Sequence, residues 1–319
     1  MPELVDIEIA VPTHNCAPWL DQLFQSLLAQ NVADSWRIVL RDDASTDATP
    51  SRIEYWRTQL GPRLQLVENS GQQNLGMVGN YDAVLAATAA RWVMFADPDD
   101  VWLPGKMDLN VRAMREAESK FGESVPLIVC SDAQVVDQNL RPIAQSYWRW
   151  SRMNPALANT FNRLLMENPV LTSTMMVNRA LLDLALPMSG SASCPDWWPA
   201  LVACTFGRII LLKDRTILYR RHSANDSVDP LSTSLLRGLL RLLADPNEAS
   251  RRLQRIFSQI SPQALRFSLR FQDRLTGAQL AALKSAASLA EGTDRRREVF
   301  REGLWFGSRA KNIGLLLFA

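Results

Sequence analysis

The stretch Trp92-Val93-Met94-Phe95-Ala96-Asp97-Pro98-Asp99-Asp100 places three carboxylates directly after an apolar run. Such a run is typical of a buried strand, so the carboxylates follow the strand's carboxyl end. Side chains alternate along extended chain, so Asp97 and Asp99 are expected to point the same way, with Pro98 stiffening the turn. Mg²⁺ prefers oxygen ligands and is usually held by one or two carboxylates plus substrate phosphates. The stretch therefore predicts a cation site for a diphosphate; a solvated acidic turn is the alternative.

Upstream of this stretch, short apolar runs alternate with helical patterns. Strands are predicted over 7–11, 37–40, 64–68 and 92–96, and helices over 19–30, 51–60 and 78–89. This order predicts an α/β fold with a mostly parallel sheet flanked by helices. Ligands of such sheets bind beyond the carboxyl ends of the strands. The polar clusters at 12–15, 42–47 and 97–100 each follow a strand, so we expect them to meet in one crevice.

The downstream half is predicted to continue the α/β pattern and then become helical. We expect a helix near 106–120, strands over 127–131 and 168–178, a helix over 197–206, and a closing strand pair at 209–212 and 217–219. The predicted first domain covers 1–230, with two halves of about 1–105 and about 106–230. A basic helical C-terminal region of 231–319 follows.

The net charge is +2, but basic and acidic residues are unevenly distributed along the chain. Residues 231–319 hold 15 Lys and Arg against 7 Asp and Glu, whereas the rest of the chain holds 20 against 26. Near the end, the arginines at 295–297 and Arg301 lie beside the apolar runs 304–306 and 315–318. This pattern suits a helix on an anionic membrane surface. A lid packed on the catalytic domain is the alternative.

The sequence also predicts a compartment. The four cysteines show no metal-binding spacing, which fits reduced thiols. The first residues lack the basic and apolar regions of a signal peptide, and no apolar stretch is long enough to span a bilayer. We therefore expect a cytoplasmic protein, peripheral on the inner face of the cytoplasmic membrane if the tail binds lipid.

Six motifs follow one another along the chain: Val11-Pro12-Thr13-His14-Asn15, Arg41-Asp42-Asp43-Ala44-Ser45-Thr46-Asp47, Asn74-Leu75-Gly76 with Asn80, Asp97-Pro98-Asp99-Asp100-Val101-Trp102, Pro195-Asp196-Trp197-Trp198 and Tyr219-Arg220-Arg221-His222. Taken in order, they resemble those of the family 2 inverting glycosyltransferases of GT-A fold, particularly bacterial rhamnosyltransferase-like enzymes of surface polysaccharide synthesis. The resemblance covers roughly residues 5 to 230. It implies that 1–230 form a Rossmann-like GT-A domain, with a nucleotide-binding half of about 1–105 and an acceptor half of about 106–230, followed by a C-terminal helical extension.

The resemblance also implies a role for each matching residue. The nucleotide-binding residues it implies are Pro12, Thr13, Asn15, Asp43, Asn74, Gly76 and Asp97, with Asp43 accepting from the pyrimidine base. The metal ligands for Mg²⁺ or Mn²⁺ would be Asp99 and His222.

On the acceptor side, Asp196 would be the catalytic base. Its alternative role is to cap the following helix. Trp197, Trp198 and Asp132 are the predicted acceptor or sugar contacts, although only one of two neighbouring tryptophans on a helix can face the cleft. The family often has His where this chain has Pro195.

The implied function is metal-dependent, inverting transfer of a sugar from a dTDP- or UDP-sugar, dTDP-rhamnose among them, to a glycan or lipid-linked polysaccharide precursor. A pyrophosphorylase-like nucleotidyltransferase is one alternative, but it would need a Gly-rich, Arg-bearing loop where this chain has residues 12–15. A degenerate nucleotide-sugar-binding protein is another. A Rossmann dehydrogenase is disfavoured because no Gly-x-Gly-x-x-Gly follows the first strand. The expected partners are the donor, the acceptor and an anionic membrane surface, with no nucleic acid.

Overall fold

The computed structural model describes residues 5–69, 71–188, 190, 192, 194–222, 246–291, 301–306 and 312. The chain divides into two compact units. The first comprises Met1–Tyr147, Val170–Gly190 and Cys194–Asn225, and the second comprises Trp148–Pro169, Ser191–Ser193 and Asp226–Ala319. The predicted domain boundary near residue 230 stays a prediction.

Within the described residues, the first unit is built around a nine-stranded sheet. The strands are β1 (Ile7–Thr13), β2 (Trp36–Asp42), β3 (Leu64–Leu66), β4 (Trp92–Phe95), β5 (Val101–Trp102), β6 (Leu127–Asp137), β7 (Pro142–Ala144), β8 (Met176–Asn178) and β9 (Arg208–Arg221). The helices of the chain are α1 (Ala17–Leu28), α2 (Thr49–Leu60), α3 (Gly76–Ala86), α4 (Lys106–Phe121), α5 (Tyr147–Trp150), α6 (Phe161–Met166), α7 (Arg179–Ala185), α8 (Trp197–Phe206), α9 (Pro246–Phe271) and α10 (Gly277–Ala287).

The sheet has the order β3-β2-β1-β4-β8-β6-β9-β5, with β7 beside β6. Strands β1 to β4 are mutually parallel, and β6 is parallel to β9. Strand β8 runs antiparallel between β4 and β6. The predicted α/β fold with a mostly parallel sheet is confirmed. Because β1 lies between β2 and β4, the carboxyl ends of these three strands meet at one edge, as expected.

Three local predictions were wrong. The expected strand over 168–178 is reduced to β8, and a 3-10 turn, Thr172–Thr174, precedes it. The expected closing pair at 209–212 and 217–219 is the single strand β9, which pairs along β6 with a register shift next to Asp132. Residues 97–100 form a turn, as expected at Pro98, with the Asp100 N–H donating to the Asp97 carbonyl at 3.3 Å, so the side-chain alternation expected of extended chain does not apply there.

The C-terminal helices belong to the second unit, where α9 packs against α10. Leu304 and Phe306 are buried, so these two side chains are not available to enter a bilayer. The predicted membrane contacts at 295–297 and 315–318 lie outside the described residues. Among the helices that the structure describes, none combines the length and apolarity needed to cross a membrane.

A buried carboxylate ties the first strands together. Glu8 on β1 has no exposed surface and accepts from Arg37 Nε on β2 at 2.8 Å. It also accepts from the backbone N–H groups of Ala89 and Ala90, at 2.5 and 2.7 Å, just before β4. One side chain therefore joins the three strands whose ends carry the polar clusters.

We predict that Glu8→Ala lowers the free energy of unfolding by about 3–5 kcal/mol, because it removes the carboxylate that pairs with the buried Arg37 guanidinium. The measurement is urea unfolding of the full chain. The matched control is Glu54→Ala, which breaks the exposed ion pair with Arg57 and should cost less than about 1 kcal/mol. A loss below about 1 kcal/mol in Glu8→Ala would show that the ion pair does not organise these strands.

Candidate active site

The end of β2 and the start of α3 form the predicted nucleotide-binding side. Asp43 is buried and accepts from Arg41 Nη1 at 2.6 Å. Both of its carboxylate oxygens also accept from the Leu75 N–H, at 2.8 and 3.0 Å. Asn80 accepts from Arg41 at 2.8 Å and holds the guanidinium in place. The fold thus brings Asp43 and the segment 74–76 together from sequence positions about thirty residues apart.

Gly76 and Asn15 have left-handed backbone conformations that set the course of the chain on this side of the site. Gly76 has a φ of 69°, a left-handed conformation that glycine adopts without strain, and Asn74 accepts from its N–H at 2.9 Å. Asn15 has a φ of 47°, and its side-chain oxygen accepts from the Thr46 N–H at 2.8 Å. Pro12 and Thr13 are buried in β1, where Thr13 donates to Asp42 at 2.9 Å.

The turn after β4 holds the acidic cluster. Asp97 is partly buried and accepts from the Tyr81 hydroxyl at 2.6 Å. Burial, followed by the charge of Asp99, raises the pKa of Asp97 to about 7. The charge of Asp196 raises this pKa further, which places Asp196 close to the cluster. Neutral Asp97 needs no counter-charge, whereas a nearby cation would stabilise its ionised form.

Asp100 is the buried carboxylate of the turn. It accepts from the Ser173 hydroxyl and, at 3.0 Å, from the Arg220 N–H. Burial and the charges of Asp99 and Asp97 raise the pKa of Asp100 well above its usual range. Lys106 is also fully buried; burial lowers its pKa to about 7, while the charge of Asp100 acts in the opposite direction.

Asp99 lies in the same turn, is partly exposed and faces the end of β9. Its Oδ2 lies 3.0 Å from His222 Nε2. The His222 ring stacks on Trp19, with ring centroids 5.2 Å apart and planes inclined by 19°. Trp19 also lies under the Arg220 guanidinium, 4.6 Å from its ring centroid. The structure therefore brings Asp99 and His222 together and supports the imidazole from one face.

Arg220 fixes the backbone around this pair. Its Nε donates to the Asp99 carbonyl at 2.7 Å, and its Nη1 donates to the Gln138 carbonyl at 2.7 Å. Its Nη2 donates to Gln22 at 2.5 Å. Because Arg220 is almost fully buried, these bonds hold the turn that carries Asp99 against α1 and β9.

Asp196 begins α8, yet its side chain makes no capping bond to that helix. Its Oδ2 instead accepts from the Thr172 hydroxyl at 2.9 Å. Thr172 and Ser173 are neighbours in the 3-10 turn before β8, and Ser173 contacts Asp100. One short turn thus connects Asp196 to the acidic cluster.

The other predicted acceptor contacts are largely internal. Trp198 is fully buried, and its indole N–H donates to the Ala185 carbonyl at 3.0 Å, so it is a core residue. Trp197 is also buried. Asp132 lies on β6, where Ser146 and the Ala133 N–H donate to it. Its role in acceptor binding stays a prediction.

The donor set at Asp99 and His222 fits a divalent cation only with help from a substrate. Among the described residues, no three His, Cys, Asp or Glu side chains form a metal cluster. One carboxylate and one imidazole leave most coordination positions to phosphate oxygens and water, which is how Mg²⁺ is commonly held in phosphate-binding sites. The excess of negative charge at 97–100 also favours a cation there.

Several residues of this site were missed from the sequence. They are Trp19, Tyr81, Thr172 and Ser173. Thr172 and Ser173 lie in the segment predicted as a strand, where the run Thr172-Ser173-Thr174 was the available signal. Trp19 and Tyr81 lie within predicted helices, and nothing local distinguishes them from core aromatics.

Comparison with known proteins identifies the chain. The model of the family described as "Glycosyl transferase family 2" matches residues 8–179. The chain belongs to glycosyl transferase family 2. It is therefore a glycosyltransferase, and its sheet is the GT-A fold.

Relatives within the family are distant. An uncharacterized glycosyltransferase of Nostoc sp. is 26% identical over 240 residues, which cover 72% of this chain and 68% of that protein. The Escherichia coli UDP-Glc:alpha-D-GlcNAc-diphosphoundecaprenol beta-1,3-glucosyltransferase WfgD is 22% identical over 177 residues, 56% of this chain and 62% of WfgD.

Two solved structures share the fold. The S. aureus TarS 1-349 complex with UDP-GlcNAc has a TM-score of 0.52 at 18% identity, over 94% of this chain and 93% of that chain. The mannosyltransferase PcManGT from Pyrobaculum calidifontis, in complex with GDP-Man and Mn2+, has a TM-score of 0.53 at 16% identity, over 98% of this chain and 86% of that chain.

Proposed function

We propose that this family 2 enzyme transfers a sugar, with inversion, from a pyrimidine nucleoside diphosphate to a lipid-linked polysaccharide precursor. The observation that carries the proposal is the position of Asp196. Its carboxylate is held by Thr172 instead of capping α8, and its charge acts on Asp97. A carboxylate placed beside a diphosphate site, with no capping role, suits a general base.

The proposed reaction is a single displacement. Asp196 takes the proton of the acceptor hydroxyl while that oxygen attacks the anomeric carbon. The bond from this carbon to the β-phosphate oxygen breaks, and the nucleoside diphosphate leaves from the opposite face. Asp99 and His222 would hold a Mg²⁺ or Mn²⁺ ion, which supplies positive charge for the leaving diphosphate.

The donor and acceptor classes rest on the relatives and on the site. TarS is known in complex with UDP-GlcNAc, and PcManGT in complex with GDP-Man and Mn2+. WfgD acts on a diphosphoundecaprenol-linked sugar. UDP- and dTDP-sugars, dTDP-rhamnose included, are the proposed donors here, because in the proposed role the Asp43 carboxylate would accept from a base N–H. A lipid-linked acceptor would place the enzyme on the inner face of the cytoplasmic membrane.

We predict that Asp99→Ala abolishes the dependence of UDP binding on Mn²⁺. In the wild type, Mn²⁺ should raise UDP affinity by about 5- to 150-fold over the value in EDTA, the usual range of coupling between two ligands. Isothermal titration in both buffers measures this ratio. Asp108→Ala, an exposed acid on α4, is the control and should keep the wild-type ratio. Undiminished UDP affinity of Asp99→Ala in Mn²⁺ would remove Asp99 as a ligand.

We predict that the site prefers pyrimidine bases, because in the proposed role the Asp43 carboxylate would accept from the imide N–H of uracil or thymine. Thermal unfolding with Mn²⁺ should show larger stabilisation by UDP and dTDP than by ADP or GDP at equal concentration. Equal or larger stabilisation by GDP would show that Asp43 does not read the base.

We predict that Asp196→Asn lowers sugar transfer by roughly 10²–10⁴-fold, the usual contribution of a positioned acid or base, while donor binding persists. Asn cannot accept a proton at neutral pH but keeps the side-chain shape. The control is Asp183→Asn, an exposed residue of α7 that should retain wild-type transfer. Transfer within about threefold of wild type would exclude Asp196 as the base and make Asp132 the next carboxylate to test.

Variants of Thr172 test whether the hydrogen bond that this residue donates to Asp196 contributes to catalysis. Thr172→Val removes the hydroxyl that donates to Asp196 and keeps the side-chain volume. We expect kcat to fall by roughly 10- to 100-fold, since a hydrogen bond to a charged group contributes about 1.5–3 kcal/mol. Thr172→Ser should restore most of this loss, and the donor KM should stay unchanged in both variants. A rise in donor KM with unchanged kcat would contradict this role.

A further inference from the structure

The helix α9 has two opposite faces of different chemistry. Its buried stripe consists of Leu253, Phe257, Ile260, Ala264, Phe267 and Phe271. On the other side, Leu265 and Leu269 are 51% and 63% exposed, which is unusual for leucines on a helix that already has an apolar stripe. The buried stripe explains how α9 packs in its own unit, and more than half of the surface of each of these leucines stays outside that packing.

Arginines surround these two leucines. Residues 251–271 contain five arginines and no acidic residue. At 100° per residue, Arg251 and Arg255 lie on the same side of α9 as Leu265 and Leu269, while Arg266 and Arg270 border the leucines. The face extends over roughly 27 Å from position 251 to 269, at 1.5 Å per residue. We call it the Arg–Leu face and define it by six exposed residues: Arg251, Arg255, Leu265, Arg266, Leu269 and Arg270.

We propose that the Arg–Leu face docks the protein onto an anionic lipid surface. A basic helix face attracts anionic headgroups, and apolar side chains between the arginines gain free energy by entering the boundary between headgroups and acyl chains. A lipid surface is the partner that satisfies both parts of this pattern at once. The proposal rests on the proposed function only for the identity of the membrane, the one that carries the lipid-linked acceptor.

The same chemistry argues against two other occupants. A second copy of the chain docking through this face would oppose arginines to arginines, which is unfavourable. A nucleic acid would pair with the arginines but would leave the exposed leucines against a phosphate backbone, where they gain little. The Arg–Leu face is also separate from the sequence-predicted tail contacts, of which Leu304 and Phe306 are buried.

The test uses the full-length protein and two double variants. Leu265→Asn with Leu269→Asn removes the apolar part and keeps the charge; Arg266→Gln with Arg270→Gln removes the charge and keeps the apolar part.

The control for the leucines is Leu28→Asn, an exposed leucine of α1. The control for the arginines is Arg57→Gln with Arg112→Gln, two exposed arginines of the first unit. Each protein is sedimented with vesicles of phosphatidylcholine alone, or of equal amounts of phosphatidylcholine and phosphatidylglycerol.

We expect the wild type and both controls to bind the vesicles that contain phosphatidylglycerol and to dissociate as salt is raised. The arginine variant should bind about 30-fold more weakly, at about 1 kcal/mol for each arginine near an anionic surface. The affinity of the leucine variant for these vesicles should fall by at least about tenfold, because its side chains no longer bury apolar surface.

Three results would overturn the proposal: no vesicle binding by the wild type, equal binding to both kinds of vesicle, or wild-type binding by both double variants. A change of oligomeric state in the variants without a change in vesicle binding would assign the face to a second copy. DNA binding that exceeds vesicle binding, and that the arginine variant loses, would assign it to nucleic acid.

Stabilisation by UDP and Mn²⁺ is measured on the same samples. It should be unchanged in both double variants, which shows that they are folded and that docking and donor binding are separate. If UDP and Mn²⁺ do not stabilise the wild type, the proposed function is overturned, whereas the vesicle result still applies. Loss of vesicle binding with intact UDP stabilisation would overturn docking alone.

Discussion

The repulsion among Asp97, Asp99 and Asp100 is the constraint around which the first unit is organised. Asp100 is buried and Asp97 is partly buried, and desolvation together with the charge of Asp99 raises the pKa of both. Hydrogen-bond donors reach these two carboxylates from three elements: Tyr81 on α3, Ser173 in the turn before β8, and Arg220 on β9. The Asp99 carboxylate, 3.0 Å from His222, completes an acidic cluster that favours a cation and a diphosphate.

The same turn links the two sides of the proposed reaction. Ser173 donates to Asp100, and its neighbour Thr172 donates to Asp196. A shift of this turn would therefore move the base and the acidic cluster together. Because both contacts are made by short side chains on a 3-10 turn, the distance between base and acidic cluster is set by backbone geometry and not by long, flexible side chains.

The sequence predicted what depends on neighbours along the chain and missed what depends on distant contacts. The first four strands, the polar clusters at their ends and the family follow from local pattern and motif. The contact between Trp19 and His222 joins residues about two hundred positions apart, which no periodicity reveals. The predicted strand pair at 209–212 and 217–219 is one strand, β9, because Lys213 and Asp214 lie at a register shift within its pairing with β6. The polar stretch before β8 forms a turn because its hydroxyls bond to acids from other elements.

The configuration of the transferred sugar tests the account most directly, because it depends on the base and the leaving diphosphate lying on opposite faces of the sugar. The measurement is proton NMR of the product, recorded early in the reaction with the UDP- or dTDP-sugar that stabilises the enzyme most. The account predicts that an α-linked donor yields a β-linked product, or the reverse. A product that keeps the donor's anomeric configuration would contradict the single displacement and the role of Asp196 as its base.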